Sequence, residues 1–237
     1  MLFRSRVGLK HMSKNIENFI TYEMNQLMSF RIKSKKELIS LLLECCSYIL
    51  TGYLSSNNNL GIFELHIGKM SRLFFLCENS RKIFSFSFPF SVKVNEDSSY
   101  SIFATSKKIE LEPYLISILR SLNEENWFNE NNDFNDLYEK IQFLEDICIQ
   151  YNSSYEEIGQ NILSIVDLLN SFELGYIRCD LDDEENFNHD FPNRHPKNHV
   201  DINYSQHTTF KIGLKSRLSI ENFKSLMDVE QDCFFIN

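Results

Sequence analysis

The chain has 237 residues, of which 43% are hydrophobic, 14% aromatic and 24% charged. This composition excludes an intrinsically disordered chain, because enough apolar surface is present to build a core without disulfides or metal. The net charge is −9, and residues 121–190 carry eighteen acidic but only two basic side chains, so broad binding to a nucleic-acid backbone is disfavoured.

Several classes of protein are excluded by missing patterns. The first residues lack the apolar segment of a secretory signal, and the most apolar window, residues 38–54, contains Glu44 and is too short for a membrane span. The six cysteines form no C-x-x-C pair and mostly occupy apolar patterns, which is typical of reduced core thiols. No glycine-rich phosphate-binding motif occurs. We expect a cytoplasmic protein that does not associate with a membrane.

The N-terminal region, residues 1–56, is predicted to be helical. Apolar residues from Ile16 to Met28 recur at spacings of three and four, which predicts an amphipathic helix over about residues 13–30. Ser34 and Glu37 then form a capping-box pattern that begins a second helix over about residues 35–53. Because this second helix is apolar on almost every side, we expect it to lie at the centre of the core.

The period changes to two between residues 60 and 106, which predicts strands. Alternating stretches at 62–67, 73–77, 83–88, 92–94 and 100–103 are separated by turn residues and predict an antiparallel meander with one solvent-facing side. His66 is the only histidine in these strands. We interpret it as a hydrogen-bonded structural residue rather than a ligand.

The next region, residues 110–173, predicts three helices. The first begins at Pro113, the second at Asp133, and the third after a cap at Ser153 or Ser154. The last two carry heptad-like stripes and are joined by a short turn, which predicts an antiparallel helical hairpin with an acidic outer face. This face could bind a basic partner, although an ordinary solvated surface is the simpler interpretation.

The C-terminal region, residues 174–237, returns to strands. We predict strands at 176–182, 200–204 and 210–214, the last two forming a hairpin, and a final helix that begins after a Ser219 cap and ends near residue 227. The fold class is therefore α+β. We expect a single domain in which an antiparallel sheet, formed by the meander and the C-terminal strands, packs against helices.

The C-terminal strands contain the residues that we single out for chemistry. Because strand side chains alternate between faces, three strands in one sheet would place polar side chains on one face, with the apolar face packed on the helices. The candidate catalytic residues are Asp180, Asp182, His195, His199 and Asp201. The candidate binding residues are Arg178, Arg194 and Lys211, and the candidate metal ligands are Asp180 and His199.

Three interpretations of this polar face remain open. Carboxylates and imidazoles close together can hold Mg²⁺, Mn²⁺ or Zn²⁺, and such a metal can activate water for phosphodiester hydrolysis. The same groups without a metal can act as general acids and bases. Alternatively, the face is a salt-bridged structural surface in which Arg178 pairs with Asp201 and the histidines bond to loop carbonyls. The long loop at 183–198 is of a length that is often functional.

The same region resembles a known family. Residues 176–182, the run His-Pro-Lys-Asn-His-Val-Asp-Ile at 195–202, and residues 210–212 and 218–226 are similar to the C-terminal signature of an uncharacterised bacterial family associated with phage-defence islands. That signature combines an Arg-x-Asp-x-Asp strand, an H-P-x-x-H-x-x-I segment, a short basic strand and a closing helix.

The resemblance implies a biological context rather than a reaction. It implies an accessory or interaction subunit of an anti-phage defence system, acting through protein–protein contacts with a partner encoded in the same operon. The alternative is a metal-dependent nuclease or phosphodiesterase that uses the C-terminal aspartates and histidines. A sensor that binds a small charged ligand on the polar sheet face is a third hypothesis.

Overall fold

A computed structural model of the chain describes residues 14–28, 32, 34–52, 60–77, 82–104, 109–128, 136–151, 154–181, 189–194, 196–205 and 208–233. Within these residues the fold is α+β, as the sequence predicts, with a seven-stranded and a three-stranded antiparallel sheet and six α-helices. No helix in these ranges combines the length and apolar character that crossing a membrane requires.

The ten strands are β1 (Lys14–Phe19), β2 (Gly61–Ile67), β3 (Arg72–Cys77), β4 (Lys82–Ser87), β5 (Phe90–Val94), β6 (Tyr100–Ala104), β7 (Ile109–Glu110), β8 (Tyr176–Leu181), β9 (Asn198–Ser205) and β10 (Thr208–Gly213). The large sheet has the order β1-β2-β3-β4-β8-β9-β10, and the small sheet the order β5-β6-β7. The helices are α1 (Tyr22–Met28), α2 (Lys35–Thr51), α3 (Pro113–Glu124), α4 (Asp136–Gln150), α5 (Gln160–Ser171) and α6 (Ile220–Ser225). A π-helical turn over Tyr155–Gly159 precedes α5.

The N-terminal segment differs from the predicted helix over residues 13–30. Residues 14–19 form the edge strand β1, which pairs with β2, and the helix α1 is confined to residues 22–28. Ile16 and Ile20 are both buried, and a spacing of four satisfies a strand as well as a helix, whereas Phe19 between them is 42% exposed. The Thr21 hydroxyl accepts a hydrogen bond from the Met24 amide at 3.1 Å, which caps the start of α1.

The second helix lies at the centre of the core, as predicted. The Ser34 hydroxyl accepts a hydrogen bond from the Glu37 amide at 3.2 Å, and the Glu37 carboxylate accepts one from the Ser34 amide at 3.0 Å. Nine side chains of α2 are buried, so it is enclosed on nearly every side. Tyr48 of α2 packs edge-on against Phe63 of β2, with ring centroids 6.0 Å apart.

The predicted meander divides into two sheets. Strands β2, β3 and β4 are neighbours in the large sheet, whereas β5 and β6 pair with β7. The division falls at Pro89, which lacks the amide needed to continue a ladder. The expected solvent-facing side is also wrong for β2–β4. Phe63 and Phe75 belong to the core around α2, while Phe74 on the reverse side packs against Phe223 of α6, with ring centroids 6.2 Å apart.

The helical region follows the prediction in the number of helices but not in every core position. Helix α3 begins at Pro113 as predicted, and the expected start of α4 at Asp133 lies outside the described residues. Two residues of the heptad-like stripe predicted for this helix, Ile141 in α4 and Tyr151 directly after it, are 43% and 42% exposed. Helix α4 instead presents a narrower buried stripe, formed by Leu144, Ile147 and Cys148.

The C-terminal strands extend the large sheet. Strand β8 joins β4 although residues 88–175 separate them in the chain, and Arg178 lies directly opposite Phe84. Residues that pair across neighbouring strands point to the same face of the sheet. The polar side chains of β8–β10 therefore lie on the same face as Phe84, which is the face that packs on α2. The reverse, apolar face packs on the segment containing α6 through Cys179 and Val200. The helix that covers the apolar face of β8–β10 is thus the short C-terminal α6, and α2 lies on the polar side.

Candidate metal centre

Two rows of cross-strand partners build the candidate site. Arg178 of β8 lies opposite Asp201 of β9, which lies opposite Lys211 of β10. In the adjacent row, Asp180 of β8 lies opposite His199 of β9. Side chains two residues apart point to the same face, and direct partners lie about 5 Å apart, so the register brings all five side chains together. We call Arg178, Asp180, His199 and Asp201 the Asp–His cluster.

The Asp–His cluster is buried, with between 0% and 8% of each residue exposed. Nη2 of Arg178 lies 2.6 Å from Oδ2 of Asp180 and 2.9 Å from Oδ2 of Asp201, so one guanidinium nitrogen holds both carboxylates. Nζ of Lys211 lies 3.9 Å from Oδ1 of Asp201, and the Lys211 side chain is 33% exposed. Lys211 therefore lies between the cluster and solvent.

The orientation of His199 favours a cation beside it. Its Nδ1 lies 2.9 Å from the Pro196 carbonyl oxygen, and because a carbonyl only accepts, Nδ1 carries a proton and donates. Its Nε2 lies 3.6 Å from Oδ2 of Asp180 and 3.9 Å from Oδ1 of Asp201. Two carboxylate oxygens repel a nitrogen lone pair, so either a proton on Nε2 or a metal ion between the three groups stabilises this arrangement.

The spacing of the three side chains suits a metal ion. Ligand atoms of Asp180, His199 and Asp201 all lie within 4.8 Å of one another. Two ligands that are each about 2.1 Å from a metal are about 3.0–3.4 Å apart at angles of about 90–109°. The two distances from Nε2 therefore need to shorten by less than about 1 Å. Oδ1 of Asp180 is buried and, in the described part of the chain, accepts no hydrogen bond, so it can serve as a further oxygen ligand.

A close backbone approach positions the histidine. A Cβ atom at Gly213, which lies opposite His199, would be 3.1 Å from Cγ of Pro196. The absence of a side chain at Gly213 therefore lets Pro196 approach β10 with its carbonyl oxygen directed at Nδ1 of His199. Sequence reasoning did not single out these two residues. The available signal is a glycine inside a predicted strand, which often marks such an approach.

The remaining candidate residues are placed elsewhere. Asp182 and His195 lie outside the described residues. Arg194 is exposed, its guanidinium carbon lies 5.3 Å from the centroid of the Phe191 ring, and it makes no ion pair with the Asp–His cluster among the residues that the structure describes. The structure thus brings together Arg178, Asp180, His199, Asp201 and Lys211, but not Arg194.

The cysteine within β8 does not contribute a thiolate to the site. Cys179 lies between Arg178 and Asp180 in the chain, so its side chain points to the opposite face of the sheet. Burial, reinforced by the Asp180 carboxylate, raises the pKa of the Cys179 thiol to about 11. The thiolate is the form that binds metals and attacks electrophiles, so Cys179 is inert in both respects near neutral pH.

A second polar group lies on the reverse face and was missed by sequence reasoning. Oε1 of the buried Glu64 lies 2.6 Å from Nε2 of His66, and Oε2 of Glu64 bonds to Nζ of Lys224 in α6. His66 is thus a hydrogen-bonded residue, as the sequence interpretation holds. Glu64 and His66 share a face of β2, which is the one local signal, but Lys224 is 160 residues away from Glu64 in the chain.

Comparisons of the chain with family models, with curated proteins and with solved structures find no match. The resemblance of residues 176–226 to a defence-associated bacterial family therefore stays a prediction.

Proposed function

We propose that the Asp–His cluster is a divalent-metal centre and that the protein is a metal-dependent phosphodiesterase. The observation that carries this proposal is the buried convergence of two carboxylates and one imidazole, with Nδ1 of His199 fixed by the Pro196 carbonyl. Metal-binding histidines are commonly oriented in this way by a hydrogen bond from the other ring nitrogen. Two oxygen ligands and one nitrogen ligand suit Mn²⁺, with Mg²⁺ as the weaker alternative.

The charge of the cluster supports the choice of substrate. With His199 neutral, Arg178 and the two carboxylates sum to one negative charge, and a divalent ion converts this to one positive charge. Lys211, at the solvent side, adds another positive charge within 3.9 Å of Asp201. A positively charged centre beside an exposed lysine attracts a phosphodiester anion. The net charge of −9 repels long polyanions, so we expect small phosphodiesters or short oligonucleotides.

Each residue then has a defined task. Asp180, His199 and Asp201 would hold the metal, which when bound would lower the pKa of a coordinated water molecule and so supply the nucleophile. Arg178 positions both carboxylates, and Lys211 contacts a phosphate oxygen. Hydrolysis forms a bond between the water oxygen and phosphorus and breaks the phosphorus–ester oxygen bond, and the leaving oxygen takes up a proton.

Hydrolysis assays with isosteric variants test this function. The protein is incubated with bis(4-nitrophenyl) phosphate and with short DNA and RNA oligonucleotides, each with Mn²⁺, with Mg²⁺ or with EDTA. We expect metal-dependent cleavage that falls by about 100-fold or more in Asp180→Asn and His199→Gln. Asp167→Asn, an exposed acid on α5, is the matched control and keeps full activity. Cleavage that is absent with both metals, or equal in Asp180→Asn and the control, would contradict the proposal.

We also propose, as a second function, that the protein is an accessory subunit of a bacterial anti-phage defence system. The family resemblance and the surface of α4 support this proposal. Ile141 and Ile149 are 43% and 73% exposed and lie eight residues apart, so they share one face of the helix. The exposed Glu145 lies four residues from each of them on the same face, and the exposed Asp146 follows it. An apolar pair within an acidic surface suits a partner with an apolar centre and a basic rim.

Co-expression with the proteins encoded in the same operon tests the second function. We expect one of them to co-elute with the wild-type chain and to be lost when Ile141 and Ile149 are both replaced by Asp. Val229→Asp is the matched control, because Val229 is 80% exposed but lies beyond α6. A wild-type chain that elutes alone as a monomer, or a complex that survives both Ile substitutions, would exclude this contact surface.

A further inference from the structure

Strand β10 forms one edge of the large sheet, and its outer side is exposed. Among the described strands its neighbour is β9 alone. Thr209, Phe210, Lys211 and Gly213 are all exposed to solvent, so within the described ranges no segment covers this edge. A sheet edge with unpaired backbone groups is a template for pairing with another strand. We call the outer side of β10 the open edge.

The hydrogen bonds to β9 determine which backbone groups of β10 point outward. The Leu214 amide donates to the Asn198 carbonyl oxygen at 2.9 Å, so these residues form a hydrogen-bonded pair that continues the β9–β10 register. Hydrogen-bonded and non-hydrogen-bonded pairs alternate along an antiparallel ladder. The backbone groups of Thr209, Lys211 and Gly213 therefore point away from β9. In the described part of the chain, none of these groups bonds to another segment.

An apolar side chain lies at the centre of the open edge. Phe210 is 55% exposed and lies opposite Ile202 of β9, which in turn lies opposite Ile177 of β8. Ile202 and Ile177 belong to the apolar face of the sheet and pack against the cluster around Phe223. This apolar face thus continues to the edge of the sheet and ends on an exposed aromatic ring.

The charges of the two sheet edges favour self-association at β10 over β1. The chain carries a net charge of −9, so two copies repel each other wherever exposed acids meet. Strand β1 presents the exposed Glu17, whereas the only charged residue of β10 is Lys211. Lysine commonly protects a sheet edge from pairing, but Nζ of Lys211 lies 3.9 Å from Oδ1 of Asp201, so an acid of the same sheet offsets its charge.

We infer that two copies of the chain form a symmetric dimer by antiparallel pairing of their β10 strands, with Phe210 facing Phe210 of the partner subunit. A two-fold axis at Phe210 pairs Thr209 with Lys211 of the partner subunit, and each such pair exchanges both of its N–H···O bonds because these groups point outward. The two rings then form a non-hydrogen-bonded pair, in which cross-strand side chains are closest. An axis at Lys211 would instead place two lysines opposite each other, which is destabilising.

Analytical ultracentrifugation of the full chain tests the dimer. Two edges of six residues bury less than the about 1,200–2,000 Å² of a standard interface, so we expect a dissociation constant between about 1 and about 100 µM. Phe210→Asp places two like charges opposite each other across the axis and is expected to weaken the dimer by about tenfold or more. Tyr22→Asp is the matched control, because Tyr22 is 63% exposed but lies in α1, after the opposite edge strand, and it keeps the wild-type dissociation constant.

Cysteine crosslinking tests the register. Cys233→Ser removes the exposed thiol, and Phe210→Cys in this background places a thiol at the two-fold axis. The Cα atoms of a non-hydrogen-bonded pair are about 4.5 Å apart, which is within reach of a disulfide. We expect oxidation with diamide to give a covalent dimer. Lys215→Cys, an exposed position in the segment after β10, is the control and stays monomeric.

Four outcomes would overturn the inference. The first two are a wild-type chain that stays monomeric at about 300 µM and a Phe210→Asp variant that dimerises as tightly as the wild type. The other two are loss of the dimer in Tyr22→Asp and equal crosslinking of the Phe210→Cys and Lys215→Cys variants. Far-UV circular dichroism establishes that each variant is folded. None of these measurements depends on Mn²⁺ or on hydrolytic activity, so failure of the dimer is distinguishable from failure of the proposed function.

Discussion

Manganese binding to the Asp–His cluster is expected to stabilise the folded chain. A ligand that binds only the folded state contributes RT ln(1 + [L]/Kd), which is about 2.7 kcal/mol when the free concentration is 100 times Kd. For a chain of this size, each kcal/mol raises the melting temperature by about 2–4 °C. We therefore expect metal-free protein to melt about 5–10 °C higher when Mn²⁺ is added at that concentration.

Isosteric substitutions of the ligands should remove most of this shift. Asp180→Asn, Asp201→Asn and His199→Gln each remove one ligand of the proposed centre and are expected to weaken binding by about 100-fold. At the same Mn²⁺ concentration the stabilisation then falls to about 0.4 kcal/mol, which corresponds to about 1 °C. The substitutions also disturb ion pairs to Arg178, so each variant is compared with its own metal-free melting temperature.

The assay is thermal denaturation followed by circular dichroism, after dialysis against EDTA and over a Mn²⁺ titration, with calorimetry to measure Kd. Glu64→Gln is the matched control, because Glu64 is also a buried carboxylate but bonds to His66 and Lys224 on the other face of the sheet. It should keep the full metal shift. A wild type that shows no shift with Mn²⁺, or an Asp180→Asn variant with the same shift as the wild type, would refute a metal site at the Asp–His cluster.

Arg178→Gln leaves Asp180 and Asp201 without their shared cation, which should lower the unfolding free energy by about 3–5 kcal/mol in urea titrations, and a loss under about 1 kcal/mol would contradict the pairing. Gly213→Ala should displace Pro196 and weaken Mn²⁺ binding by about 10–100-fold in calorimetry, and unchanged affinity would show that Pro196 does not position His199. Cys233 is exposed and the other five cysteines are buried, so Ellman's reagent should find one fast thiol per native chain and six in urea, whereas two fast thiols would indicate a more open core. Burial raises the pKa of the Cys179 thiol from 9.0 to about 11, so the unfolded chain loses this proton first, and the urea midpoint should fall as the pH rises from about 9 to about 11.

Local periodicity was sufficient to place Arg178 and Asp180 on one face of β8, and His199, Asp201 and Lys211 on one face of the neighbouring strands, but not to place that face in the fold. The strand period of two puts Arg178 and Asp180 on the same side of β8 whatever packs there. The partner of each face depends on distant segments, and the apolar side of β8 packs on the segment containing α6 rather than on the main helices. Ile16 and Ile20 illustrate a different limit, because a spacing of four residues fits a strand as well as a helix.

Contacts that depend on the path of the chain could not be predicted from the sequence. Pro196 approaches Gly213 through the course of the loop before β9, which no local pattern specifies. Glu64 meets Lys224 across 160 residues of chain, and nothing in either segment identifies the other as its partner. The contact between Pro196 and Gly213 orients His199. The bond between Glu64 and Lys224 occupies the Glu64 carboxylate, so Glu64 is not a candidate metal ligand.

The attachment of β8 has a consequence for the order of folding. Three positions pair between β8 and β4, whereas six pair between β8 and β9, and only 23 residues separate Arg178 from Asp201. Contacts between nearby segments form before those that close a long loop, so the β8–β10 unit is expected to assemble first and to join β4 afterwards. All three proposed metal ligands belong to that unit. A metal ion captured at this early stage would act as a folding nucleus, so its concentration would set how fast the chain reaches its native state as well as how long it stays there.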